Sequence, residues 1–354
     1  MEIGQVLAAY GIEEATASVS PFGSGLINYS WKVQQGDAVF LLQKINHFVF
    51  QQPWDIAHNI SAIGQYLGKY HPEYLFVAAL PALNGRPMVH LPEAGYFRLF
   101  PFLQQAHAFD VVATPEQAYE AAVQFGRFTR MLAHFDATRL KPTIPHFHNL
   151  PLRFLQFEHA VQEGNPERKQ LAARTLAELF DLRHLVRRYE AIAANADFRI
   201  RVIHHDTKIS NVLFDGRDKG LCVIDLDTVM PGYFISDVGD MMRTYLSPVS
   251  EEEQDFSSIE VRLPFYEAIV SGYLQEMQAE LSEAECAAFF YAGQFMIYMQ
   301  ALRFITDYLN NDVYYGQRYP GHNLVRAQNQ LVLLQRLMEK EPLLCRYQGV
   351  RKSA

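Results

Sequence analysis

The first hundred positions are punctuated as short apolar, β-branched runs set apart by turn residues. After about residue 102 the apolar positions recur at three- and four-residue spacing instead. Residues 29–33 and 39–45 are rich in β-branched and aromatic side chains, and Gln34-Gln35-Gly36-Asp37 separates them as a turn. That pair predicts an antiparallel hairpin. Residues 74–80 and 96–100 predict two further strands, with Asn84-Gly85 and Pro87 breaking the chain between them. A helix is predicted over 53–69: Pro53 opens it, and Ile56, Ile60, Ile63 and Leu67 fall on one face.

The later pattern is helical. Thr114-Pro115-Glu116 supplies an N-cap followed by proline at the first helical position, and Ala118, Ala121, Ala122, Phe125, Phe128 and Leu132 mark the apolar face. Further helices are predicted at 152–162, 167–194, 261–277, 283–309 and 324–338. A β island interrupts them at 199–204, 212–214 and 221–226, the last two joined by a polar turn. The fold class expected is α+β: a β-rich part, a short connector and a larger helical part.

Composition narrows this only partly. At about 150 residues per domain, 354 residues make two domains the prior, with ample chain for a core free of metal or disulfide staples. Apolar residues at 49% and charged residues at 20% exclude wholesale disorder. A net charge of −8 argues against general binding of nucleic acid or of a membrane surface. Cys222, Cys286 and Cys345 stand far apart with no C-x-x-C pair, as in a reduced, intracellular chain. Residues 1–15 hold three glutamates and no Lys or Arg, unlike a secretory signal, and the longest apolar runs fall short of a membrane span. A cytoplasmic protein is expected. The 13% aromatic content does not separate an aromatic core from a ligand site.

The chemistry concentrates in residues 202–214. Two strand-like runs there flank a polar loop carrying His204, His205, Asp206, Lys208 and Asn211. Polar groups crowded between strands cost stability unless they are satisfied, so such a loop is often a site. The next β run delivers Asp225 and Asp227. One task explains the set. Asp206 can accept a proton from a hydroxyl, Lys208 can lean on a phosphoryl group in transfer, and Asn211 with Asp225 offers hard oxygens to magnesium. A single loop aspartate is more often a cap or turn residue; its spacing to Lys208, Asn211 and Asp225 sets Asp206 apart. His204 is expected to pack and hydrogen-bond the loop. The role of His205 stays open, and Asp227 reads equally as a second metal contact or as a carboxylate that orients the loop. Gly23-Ser24-Gly25 allows backbone N–H groups to approach phosphates, and a plain hairpin turn explains it as well.

His204-x-Asp206-x-Lys208-x-x-Asn211 followed by Asp225 has the spacing of the kinase catalytic loop and metal aspartate. With Ile224-Asp-Leu-Asp227 in place of Asp-Phe-Gly, the chain resembles the aminoglycoside phosphotransferase and choline kinase-like branch of that fold. Within the branch it resembles the anomeric sugar kinases typified by N-acetylhexosamine 1-kinase. The stretches that carry this are 23–28, 42–46, 146–148, 206–208, 225–232, 237–240, 303–309, 312–314 and 322–326.

The resemblance implies a protein-kinase-like two-lobed fold: a nucleotide-binding lobe over 1–98, a hinge over 99–105 and a helical lobe over 106–354. It implies ATP and Mg2+ as cofactors and a hexose or N-acetylhexosamine as acceptor. Ser24, Gly25 and Gln43 would serve the nucleotide, Phe100 and Phe102 would flank adenine, and Arg303 and Tyr314 would contact the sugar. Two departures stand out. The second strand offers Gln43-Lys44 where kinases place a phosphate-binding lysine, and 46–69 holds no glutamate to pair with one. Leu26 replaces a histidine of characterised relatives.

Other readings remain. Arg303–Tyr315 could be a helix end held to its loop by an ion pair. A kinase for an aminoglycoside, choline or homoserine is the nearest rival, since cationic acceptors want carboxylates and Asp307 and Asp312 could supply two. A catalytically silent kinase-like binding protein would have eroded Asp206, Asn211 or Asp225, and all three are present.

Overall fold

The computed structural model describes residues 2–23 and 27–345. Ser24, Gly25 and Leu26, where part of the expected phosphate loop falls, lie outside the described residues. The chain divides into two compact units: Met1–Ala108 with Met131–Pro145 and Asn211–Pro231, and Phe109–Arg130 with His146–Ser210 and Gly232–Ala354.

In the first unit, helix α1 (Glu2–Ala9) precedes strands β1 (Ala17–Pro21), β2 (Tyr29–Gln35) and β3 (Ala38–Ile45). Helix α2 (Pro53–Tyr70) and strands β4 (Val89–Leu91) and β5 (Gly95–Pro101) follow. The five strands form one antiparallel sheet in the order β1-β2-β3-β5-β4. The expected hairpin is there, with Val33 opposite Phe40 and Gly36 turning in the left-handed region at φ 58°. Val33, Leu42, Phe97 and Leu99 point to one face and bury it against Val6 and Leu7 of α1.

The strand expected at 74–80 does not form; only Leu80 bridges to Leu99. The reason is edge occupancy. One side of β5 is taken by β3, and the start of the other is taken by β4 at Gly95–Phe97, which leaves the segment only the single contact at Leu99. Two short strands, Val212–Phe214 and Gly220–Val223, complete the unit as a hairpin. The β run expected to continue through 226 stops at Val223, because Asp225 turns into the left-handed region.

The second unit is mainly helical. Helix α3 (Pro115–Met131) starts where Thr114 predicts, the Thr114 hydroxyl accepting the Gln117 N–H at 3.3 Å. The helix expected over 167–194 is three: α4 (Leu150–Glu163) precedes them as α5 (Pro166–Leu171), α6 (Ala173–Asp181) and α7 (His184–Ala193). The chain bends at buried Ala172 while Arg168 of α5 anchors to the Tyr308 carbonyl at 2.7 Å. Next come α8 (Ile235–Tyr245), which carried no helical signal, α9 (Leu263–Met277) and α10 (Glu283–Cys286). Then follow α11 (Phe289–Leu309), α12 (His322–Glu339) and α13 (Glu341–Leu344). Buried around nearly its whole circumference, α11 is the central helix of this unit, packed by α4, α8 and α12. Of its residues only Arg303 and Thr306 are not buried. At Gly239 a Cβ would lie 2.3 Å from the Ala292 carbonyl oxygen, so α8 meets α11 at a glycine. No helix among the described residues is long and apolar enough to cross a membrane.

Candidate functional site

In the second unit the loop that carries Asp206 is held by its backbone. Two aspartates one turn apart on α8 do this. Asp237 accepts the N–H of His204 at 2.9 Å and that of His205 at 2.7 Å. Asp240 accepts the Thr207 N–H at 2.8 Å. The Thr207 hydroxyl donates to the Asp237 carbonyl at 2.8 Å, and the Tyr245 hydroxyl donates to the Thr207 carbonyl at 2.5 Å. Burial pushes the Asp237 carboxyl up to about 6, against the pull of His204 and the two amides. His205 is held at φ 67°, a conformation costly for a side-chain-bearing residue and one that collects at functional sites. Its ring has room because Gly232 lacks a Cβ, which would stand 2.6 Å from Nε2. His204 is fully buried, its ring edge-on to Phe125 at 5.2 Å, the packing role expected of it. Between these fixed points Asp206 and Lys208 meet, Nζ 3.2 Å from Oδ2, with about half of the Lys208 side chain in solvent.

Asn211 and Asp225 belong to the first unit. The Ile224 N–H donates to the Asn211 carbonyl at 2.9 Å, which brings the residue before Asp225 onto Asn211. Asp225 is exposed and left-handed, at φ 58°. Among the described residues no group of three or more His, Cys, Asp or Glu could hold a metal ion. One amide and one carboxylate fit a small hard cation that keeps water and phosphate oxygens as its other ligands. Asp227 is only 2% exposed. One of its oxygens is 2.5 Å from Arg98 Nη1 and the other accepts from Asn28 Nδ2 at 2.8 Å. With both oxygens engaged, Asp227 has the arrangement of a loop-orienting carboxylate.

Gln43 stands opposite Arg98 in the β3–β5 register. It accepts from Arg98 Nε and Nη2 at 3.2 and 3.0 Å and donates to the Ser30 hydroxyl at 3.1 Å. Phe100 lies on β5 with the Arg98 guanidinium 5.0 Å from its ring centre. Phe102 follows it, edge-on to Phe22 at 5.2 Å, and its N–H is spent on the Val39 carbonyl at 3.1 Å. A cavity of about 460 Å3 opens between α2 and the 72–79 segment, and of these residues only Arg98 lines it.

The acceptor stretch again belongs to the second unit. Arg303 Nη1 donates to Gln300 Oε1 at 3.1 Å, and its guanidinium lies 5.4 Å from the ring centres of Phe147 and Tyr315 and 5.9 Å from that of Tyr314. Tyr314 is exposed, its N–H held by Asp307 at 2.8 Å. Asp307 also accepts the Tyr315 N–H and Asn323, and Asp312 is ion-paired to Arg168 at 2.5 Å. Both carboxylates thus close the end of α11 upon itself. A charge ladder runs nearby: Arg243 bridges Asp240 at 2.9 Å and Glu251 at 2.7 Å, and Arg326 contacts Glu251 and Glu252. Burial works to raise the Glu251 carboxyl, but Arg243 and Arg326 together hold it below the ordinary range.

Arg153 and Glu251 carried no signal of their own in the sequence, and Arg98 was not singled out. For Arg98 one was available, a lone charge inside the apolar run 96–100.

A five-stranded antiparallel sheet followed by a mainly helical region is the protein-kinase-like fold. Residues 18–280 match the model of the phosphotransferase enzyme family (APH), and the chain belongs to that family. Solved structures of the same fold include spectinomycin phosphotransferase in complex with ADP and spectinomycin. It has a TM-score of 0.61 and 11% identity, over 96% of this chain and 98% of that one. A microcompartment-associated aminopropanol kinase gives 0.60 and 17%, over 97% and 98%. An amicoumacin kinase in complex with AMP-PNP, Ca2+ and Ami gives 0.62 and 14%, over 95% and 93%.

Proposed function

We propose that this chain is an ATP- and magnesium-dependent kinase of a small-molecule hydroxyl, with the anomeric hydroxyl of an N-acetylhexosamine or related hexose as acceptor. The observation that carries this is the clamped loop, in which Asp237 and Asp240 fix the backbone around Asp206 while Lys208 stays half exposed beside it. Asp206 takes the proton of the acceptor hydroxyl as that oxygen bonds to the γ-phosphorus. The bond from this phosphorus to the β–γ bridging oxygen breaks, and ADP leaves with the electron pair. Lys208 steadies charge on the moving phosphoryl group. Asn211 and Asp225 would hold magnesium, which when bound neutralises phosphate charge. Ser24, Gly25, Gln43, Phe100 and Phe102 serve the nucleotide, and Arg303 with Tyr314 serves the sugar. The ADP and AMP-PNP named with the two antibiotic kinases support the nucleotide part.

The sugar part rests on the motif resemblance. It is supported by the engagement of Asp307 and Asp312, the carboxylates a cationic acceptor would have used. A thermal-shift panel of hexoses, choline and an aminoglycoside with ATP and magnesium, followed by a phosphate-transfer assay, tests it. Stabilisation by and transfer to a hexose is expected. Stabilisation by choline and by no hexose overturns the acceptor, and binding without transfer to anything overturns the kinase.

A further inference from the structure

The acidic side chains at the end of α11 and in the charge ladder are committed. Asp307 holds backbone amides, Asp312 pairs with Arg168, Glu251 lies between Arg243 and Arg326, and Glu252 pairs with His322 at 2.5 Å. Arg303 and Arg153, by contrast, pair with no carboxylate among the described residues. Arg303 donates to the Gln300 amide oxygen. Arg153 donates to Gln156 Oε1 at 3.0 Å and to the carbonyls of His146 and Phe147 at 3.1 and 3.2 Å, and its Nε is buried without a hydrogen-bond partner.

These two cations converge on His146-Phe147-His148. Arg153 grips the carbonyls of the first two residues, and Arg303 lies over the ring of Phe147. His148 stacks on Phe147 at 4.3 Å and approaches His205, the neighbour of Asp206, at 5.1 Å; its Nδ1 is buried and unpartnered. Burial first, and then the charge of Arg303, lowers the Arg153 pKa. His148 is held well below the ordinary imidazole value by burial, then by His205, Arg303, Arg243 and Arg153. Like charges gathered without a counterion destabilise a folded chain, and a bound anion relieves them.

We infer that the acceptor carries a negative charge of its own, a carboxylate or a phosphate or sulfate ester, received by Arg153 and Arg303 on the Phe147–His148 turn. This rests on the proposed kinase reading and narrows its acceptor to those hexoses and N-acetylhexosamines that carry an acidic substituent. Guanidinium groups suit it because they bind planar or tetrahedral oxyanions through paired N–H donors.

Calorimetry on the full chain with ADP and magnesium tests this without requiring turnover. The probes are glucuronate, N-acetylglucosamine 6-phosphate, neutral N-acetylglucosamine and glucosamine. At least one anionic sugar should bind about tenfold or more tighter than the neutral one, with glucosamine weakest, and glucuronate against the phosphate ester tells which anion is taken. Arg153→Gln should lower the anionic-to-neutral ratio by about tenfold, while Arg153→Lys keeps part of it. Should Arg153→Gln melt early, Arg303→Gln provides the same readout. Equal or tighter binding of the neutral sugar overturns the inference, as does an unchanged ratio in a variant that melts like the wild type. Transfer to the neutral sugar with no anionic preference sinks this inference and leaves the kinase reading standing. Anionic preference with no transfer to any sugar does the reverse, and no sugar binding at all overturns both.

Discussion

Arg98 Nη1 lies 2.5 Å from Asp227 Oδ1, and neither side chain is more than 4% exposed. The same arginine holds Gln43, and the same aspartate holds Asn28, whose Oδ1 in turn accepts the Asn46 N–H at 3.0 Å. A cation thus sits in the sheet on β5, next to the β3 position where kinases place a lysine, and it is tied to the segment just after Asp225. On α2 the link to that segment is made by Asn59, which donates to the Val229 carbonyl at 3.0 Å. Neutral Asn59 bonds the loop from the helix in which no glutamate is available.

A buried pair of this kind is costly to break from one side. Arg98→Met should destabilise the chain by about 3–5 kcal/mol, since Asp227 is left charged and uncompensated. Arg98→Met with Asp227→Leu should recover much of that loss. Equilibrium urea unfolding of the wild type, Arg98→Met, Asp227→Leu and the double variant measures the coupling; a cost of Arg98→Met below about 1 kcal/mol would mean that the pair behaves like a surface one.

The roles proposed for Asp206 and Asp225 predict separable losses. Asp206→Asn should lower turnover by about 10²–10⁴-fold with nucleotide affinity largely kept. Asp225→Ala should instead remove the magnesium-dependent part of nucleotide binding by calorimetry and leave the magnesium-free part alone. Near-normal turnover in the first variant, or undiminished magnesium dependence in the second, refutes the corresponding role.

Gly239 couples packing to the loop. A methyl there meets the Ala292 carbonyl and must push α8 away from α11. Gly239→Ala should cost about 1–3 kcal/mol and lower kcat as well, because α8 carries both aspartates that hold residues 204–207. An unchanged melting temperature would show that the two helices yield freely at this contact.

His148 sets an acid limit. Its folded-state pKa lies below the unfolded value of about 6.5, so below that pH the unfolded chain binds a proton that the folded chain refuses. Stability should therefore fall as pH drops from about 6.5, by up to about 1.4 kcal/mol per pH unit from this group. The neighbours that face it, His205, Arg303, Arg243 and Arg153, all act in the same direction. His148→Phe should flatten the pH 5–6.5 part of the curve; a slope identical to that of the wild type would remove His148 from the account.

Local pattern was enough for much of the architecture. The β2–β3 hairpin, α2, α3 and the strands around the 204–211 loop were legible because periodicity, turn residues and caps act over a few positions. The same holds for the polar set from His204 to Asp225, whose spacing is itself a chemical statement. What failed was non-local. Residues 74–80 read as a strand, yet only Leu80 pairs, with Leu99 on the β5 edge whose start β4 has taken. Helix α8 was missed because its buried face includes Asp237 and Asp240, polar residues that spoil the apolar period and are there to satisfy another segment's backbone.

The chain's own order determined the fold class, the family and the polar set proposed as the catalytic loop, since each is written in short runs of residue types. Tertiary structure alone decided which charges are neutralised. Arg98 meets Asp227, Asp312 meets Arg168 and Glu251 meets Arg326 across long stretches of chain, while Arg153 and Arg303 meet no carboxylate among the described residues. Net charge counts residues and carries no distances. Electrostatic energy depends on separation and burial, which only the folded chain sets.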